Sequence, residues 1–165
     1  MIVKTEIDNA QTDKPVSTRM FAAIRRTTAC AAEKMGISFP SEISMKLVSE
    51  NEIQQLNRDF RNVDSVTDVL SFPSGEYSDG DCPPELRRNQ RLFLGDIAIC
   101  VSVAYKQAAE AKHSPSDEIM LLTAHSFLHL IGFDHATKKQ EKEMFALQEE
   151  IVRMAKEKAA ERKGS

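Results

Sequence analysis

The segment His125-Ser-Phe-Leu-His129-Leu-Ile-Gly132-Phe-Asp134-His135 holds three of the four histidines of a 165-residue chain. It dictates local structure more tightly than any other stretch. His125 and His129 stand four apart, which on an α-helix puts both imidazoles on one face, one turn apart. Gly132 can adopt the left-handed conformation that ends a helix and turns the chain. The turn brings His135 back toward the other two. At this spacing ring nitrogens can share one ion at about 2.0–2.1 Å. Three protein ligands with an open fourth position are the arrangement of a catalytic zinc site, not a structural one. The expectation is one Zn2+ ion on His125, His129 and His135, at a helix C-terminus, with a zinc-bound water as the reactive group. His113, the fourth histidine, falls near a helix end, where the helix dipole accounts for it.

The same spacing, His-x-x-x-His-x-x-Gly-x-x-His, is shared with the metzincin proteases. Those enzymes carry Glu directly after the first histidine as general base. Ser126 occupies that position here, and no clear methionine turn follows. A peptidase built on this segment would lack its base.

Elsewhere the chain reads as one domain, 1–165, with a charged tail over about 159–165 expected to fray. A content of 41% hydrophobic and 28% charged residues can bury a core. The net charge of -3 and pI near 5.8 offer no bulk attraction to nucleic acid, so an RNA substrate would need a local basic patch. Cys30, Cys82 and Cys100 are widely spaced and odd in number, which argues against a disulfide framework or a cysteine zinc site. With no secretory signal visible and no long apolar run, the expected compartment is the cytoplasm.

Residues 2–7 read as an opening strand. Ser17 or Thr18 opens a helix to about Met35, capped by Gly36. Ile43, Met45 and Leu47 alternate with polar neighbours as in a strand. Ser49 with Glu52 is a capping box that starts a helix through Ile53, Leu56 and Phe60. Residues 66–72 form a strand stopped by Pro73, and residues 73–91 a long loop of the kind that is often functional. Residues 92–100 form a strand interrupted at Gly95-Asp96, and 102–112 a helix. Ser114 and Pro115 begin the helix that carries the histidines. Thr137 with Gln140 opens the last one, striped by Met144, Leu147, Ile151 and Met154. The expected class is α+β, with one sheet of about four strands and about five helices.

Three further blocks join the histidine segment: Leu56-Asn57-x-x-Phe60-Arg61, the run Thr67-Asp68-Val69-Leu70-Ser71-Phe72-Pro73, and Leu94-Gly95-Asp96-Ile97-Ala98-Ile99. In these four ordered blocks the sequence resembles the YbeY family, bacterial metal-dependent endoribonucleases of ribosomal RNA maturation. The resemblance implies a single-strand-preferring endoribonuclease acting on the 3′ end of 16S rRNA, with a part in ribosome quality control. Its partners would be ribosomal RNA, the small ribosomal subunit and ribosome-associated proteins, with no membrane. It also implies zinc on the three histidines. Two departures stand out: Ser126 replaces a common glycine, and Cys100 a more usual serine.

Zinc can lower the pKa of a bound water to about 7 and polarise a phosphoryl oxygen. Arg61 is the candidate for stabilising phosphate charge, because guanidinium presents a bidentate fork to oxyanions; otherwise it is a solvated helix-end residue. Asp68 and Asp96 can orient a ligand histidine or simply cap turns, and Asp134 carries the same ambiguity. Arg87, Arg88 and Arg91 in the long loop, with Arg25 and Arg26 in the first helix, are candidate phosphate contacts or ordinary surface charge. With eight Phe, two Tyr and no Trp, no base-stacking platform is evident. Two other readings compete: a metallohydrolase of another class, and a non-catalytic, zinc-stabilised ribosome assembly factor.

Overall fold

A computed structural model describes residues 2–75 and 91–164. The elements are β1 (Val3–Asn9), α1 (Thr18–Lys34), β2 (Ser41–Val48), α2 (Glu50–Arg61), β3 (Val69–Pro73), β4 (Leu92–Cys100), α3 (Val101–Ala111), α4 (Pro115–Leu130) and α5 (Lys138–Gly164). The four strands form one mixed sheet in the order β1-β2-β4-β3. The first three are parallel, and β3 runs antiparallel to β4 at the edge. This is the α+β arrangement expected from the pattern of elements.

Local chemistry sets the helix ends. The hydroxyls of Ser17, Ser49 and Ser114 accept from the amides of Met20, Glu52 and Asp117 respectively, satisfying donors that a helix start leaves open. Thr137 and Gln140 form a reciprocal capping box, at 3.1 and 3.2 Å. α5 continues through Gly164, past the charged segment expected to fray. Residues 159–163 are Ala, Glu, Arg and Lys, all good helix formers, and supply no stop signal.

The alternation of β2 divides the molecule into two cores. Ile43, Met45 and Leu47 point with Ile97 and Ile99 into the larger one, beneath α1, α4 and α5. Burial of each such side chain contributes roughly 1.5–3 kcal/mol. On the opposite face Val48, Leu70, Ala98 and Cys100 meet Ile53 of α2 in a smaller cluster. α4 is apolar around most of its circumference and packs against α1, α3, α5, β3 and β4. A helix enclosed in this way holds its side chains in fixed positions.

β4 carries a bulge: Glu42 pairs with Phe93 but Ile43 with Gly95, leaving Leu94 as the extra residue. Gly95 sits there at φ +145, and a Cβ on it would lie 2.3 Å from the Phe72 carbonyl oxygen and 2.8 Å from Leu130 Cδ2. Only glycine lets the end of α4 settle this closely on the sheet. β3 begins at Val69, later than expected, because the Asp68 carboxylate accepts the Val69 amide at 2.8 Å and ends the preceding turn. Cys30 and Cys100 are buried and unpaired. Cys82 lies outside the described residues, as does most of the long loop. Among the described residues no helix is long and apolar enough to cross a membrane.

Candidate metal centre

His125 and His129 leave α4 from adjacent turns, and Gly132, at φ +100, reverses the chain so that His135 faces them. One potential ligand nitrogen from each ring falls within 4.8 Å of the others. The ring centroids are 4.6, 5.2 and 5.6 Å apart.

The tautomers follow from the second nitrogen of each ring. His125 Nδ1 donates to Gln148 Oε1 at 2.9 Å, and His129 Nδ1 donates to the Phe133 carbonyl at 2.9 Å. Both partners are pure acceptors, so the protons sit on Nδ1 and the lone pairs on Nε2. Those two Nε2 atoms face each other at 3.1 Å. Two lone pairs at that distance repel unless a cation or proton lies between them. An ion bound tetrahedrally at about 2.0–2.1 Å would hold its nitrogens about 3.3 Å apart. The donor set therefore fits a metal ion.

Electrostatics point the same way. Burial pushes the His125 pKa down, with the Gln148 hydrogen bond opposing. Burial, then the neighbouring His125, pushes His129 down to about 4. Both imidazoles are thus neutral at pH 7, the form that binds metal.

A model of the family "Endoribonuclease YbeY" matches residues 6–156. The chain belongs to the endoribonuclease YbeY family. Relatives named Endoribonuclease YbeY include one from Macrococcus caseolyticus, 42% identical over 145 residues, covering 88% of this chain and 89% of the relative. Another, from Moorella thermoacetica, is 39% identical over 150 residues and covers 91% and 96% of the two chains. The solution structure of TM1509 from Thermotoga maritima is similar in fold, with a TM-score of 0.63 at 25% identity over 96% of this chain and 93% of that one.

Within this YbeY-family site the other residues singled out from sequence separate. Arg61 ends α2, and its Nη2 donates to the Ser71 carbonyl of edge strand β3 at 2.8 Å. The side chain is otherwise exposed. α4 packs over β3 as well, so Arg61 and the histidine helix border the same strand. Asp68 accepts from Val69 N and, at 3.3 Å, from Gln107 Nε2. It hydrogen-bonds no histidine, although its charge favours the protonated form of His125. Asp134 accepts the His135 amide at 2.7 Å, a contact that shapes the turn.

Asp96 requires a correction. It lies inside β4 on the α2 face, opposite α4, so it neither orients a histidine nor caps a turn. Strand alternation after the bulge decides this. Arg91 also departs from expectation: its Nη1 donates to the carbonyls of Ile2 and Ser41, at 3.1 and 3.0 Å, tying together the strand starts. Arg87 and Arg88 lie outside the described residues. Arg25 and Arg26 line a separate cleft of about 870 Å³ with Lys158 and Arg162 of α5. His113 Nε2 contacts Glu118 Oε2 at 2.6 Å, a specific partner in place of the general dipole effect. Ser126 is buried and donates to the Leu122 carbonyl, so its hydroxyl is used within the helix.

Sequence reasoning missed Gln148, which orients His125. Its signal is a glutamine on the buried stripe of α5, four residues after Met144 and three before Ile151.

Proposed function

We propose that this chain is a zinc-dependent endoribonuclease that cuts single-stranded RNA, matures the 3′ end of 16S rRNA in the cytoplasm and takes part in ribosome quality control. The observation that carries the reading is the convergence of three histidine ligand nitrogens in a chain of the endoribonuclease YbeY family. His125, His129 and His135 would hold one zinc ion, which when bound supplies Lewis acidity toward a phosphoryl oxygen and lowers the pKa of water.

The chain's own residues supply position and charge. Gln148 and the Phe133 carbonyl fix the His125 and His129 rings, so these two need little reorganisation on binding. The Arg61 fork is anchored through one N–H to Ser71, leaving its outer donors for a phosphate oxygen. Anchoring reduces the entropy lost when the contact forms. Bound phosphate at Arg61 would lie along the β3 edge that α4 also covers, aligning the backbone with the histidines.

The reading is tested by incubating the purified chain with ribosomal RNA beside His129→Ala. Cleavage by the first and at least a hundredfold less by the second is expected, in line with loss of an activating metal. Equal cleavage by both would refute it. In cells, loss of the protein should leave 16S rRNA with an unprocessed 3′ end that wild type, but not His129→Ala, restores. Rescue by both would favour the assembly-factor role instead.

A further inference from the structure

The sheet face opposite α4 carries a pocket of about 360 Å³ lined by residues of β1, β2, β4, β3 and the last turns of α2. Its floor is polar: Asp8, Lys46, Ser44 and Asp96 stand on adjacent strands, with Asp8 beside Lys46 and Ser44 beside Asp96 in register. One wall is Phe60, the last-turn residue before Arg61, which remains 67% exposed. It meets Phe72 edge-on, with centroids 5.4 Å apart and planes at 66°. Two features lack a structural explanation. The Phe60 ring keeps most of its apolar surface in water, and the Asp96 carboxylate has no hydrogen-bond or ion-pair partner among the described residues.

We propose that this pocket takes one unpaired guanine base of an RNA strand, stacked on Phe60 and read by Asp96. The proposal rests on the endoribonuclease reading and names what that site selects. The volume lies at the small end of ligand pockets, suited to one base. Phe60 presents an exposed aromatic ring, and stacking of bases on such rings is a general means of holding single strands. A carboxylate only accepts hydrogen bonds, and guanine alone offers it two adjacent donors, N1–H and the N2 amine. Adenine and cytosine offer an exocyclic amine alone, and uracil a single ring N–H. The Lys46 ammonium, held by Glu52 on the same face, is a donor for guanine O6. Phe60 meets Phe72 and Arg61 bonds the carbonyl of the residue preceding Phe72, Ser71, so a base stacked on Phe60 places its phosphate near Arg61. A base paired in a duplex cannot enter, so the pocket selects single strands.

The test measures binding of the full chain to a fluorescent 2′-deoxy oligouridylate whose central nucleotide is G, A, C, U or abasic. Guanine should bind about tenfold tighter than uracil. Asp96→Asn should remove that preference while retaining tighter binding of any base than of the abasic probe. Phe60→Leu should bring all bases close to the abasic level. Both side chains are exposed, and a thermal melt confirms folding. Equal affinity for all probes, or a guanine preference that survives Asp96→Asn, would overturn the proposal. RNA cleavage measured in parallel separates the two readings. Cleavage with no base preference in binding removes the pocket alone, whereas guanine-selective binding without cleavage removes the endoribonuclease reading alone.

Discussion

Gln148 is 23 residues from His125 and has one contact that matters to the site, the 2.9 Å hydrogen bond accepted from His125 Nδ1. The side chain is only 8% exposed, so the contact is largely shielded from bulk solvent. Gln148→Leu keeps the volume and removes the acceptor. The Nδ1–H is then buried without a partner, at a cost of about 1–3 kcal/mol to the folded protein. The ring is also free to move its proton to Nε2, the nitrogen that must carry the lone pair. Losses of this kind lower metal affinity by about 10- to 100-fold, or about 1.4–2.8 kcal/mol. Gln148→Glu keeps an acceptor in place and should retain affinity at or above wild type. Competition against a chromophoric chelator gives the affinities, and thermal melts with and without EDTA separate the stability effect. Equal metal affinity in wild type and Gln148→Leu would refute the claim that this contact sets the His125 tautomer.

Other substitutions probe the frame around the site. Gly95→Ala would force its Cβ into the Phe72 carbonyl and Leu130 while straining a backbone at φ +145; denaturant melts should show a loss of roughly 2–4 kcal/mol. In EDTA-treated protein His129 should titrate near 4 rather than 6.5, as read from its ring proton by NMR. Because the folded pKa is depressed, the unfolded chain binds more protons as pH falls. Stability is therefore full above about pH 6.5 and declines by roughly 2–3 kcal/mol toward pH 4; a flat urea-melt profile over that window would contradict this. Arg61→Ala should leave metal content unchanged and lower RNA cleavage by about 10- to 100-fold, and Arg61→Lys should restore little of it, because ammonium lacks the fork.

The parts of the site legible in sequence are those fixed by local spacing. Helix starts at Ser17, Ser49, Ser114 and Thr137 were readable because a cap involves residues three apart. The histidine cluster was readable because the helical repeat and one glycine place all three rings. Contacts between distant segments were not. Gln148 reaches His125 only because α5 packs on α4, and Arg91 reaches Ile2 and Ser41 only because β4 enters beside β2. Which way Asp96 points depends on the bulge at Leu94 and on α2 covering one face, neither of which has a local signature. The exposed Phe60 read as part of an amphipathic helix, since nothing in the sequence shows that α2 leaves its final turn uncovered.

Metal content measured by mass spectrometry on the purified full chain tests the central claim most directly. The account predicts about one zinc per wild-type chain and a near-complete loss in His129→Ala, with the variant still folded. Protein that carries no zinc after exposure to it, or a His129→Ala variant that keeps a full equivalent, would contradict the assignment of His125, His129 and His135 as its ligands.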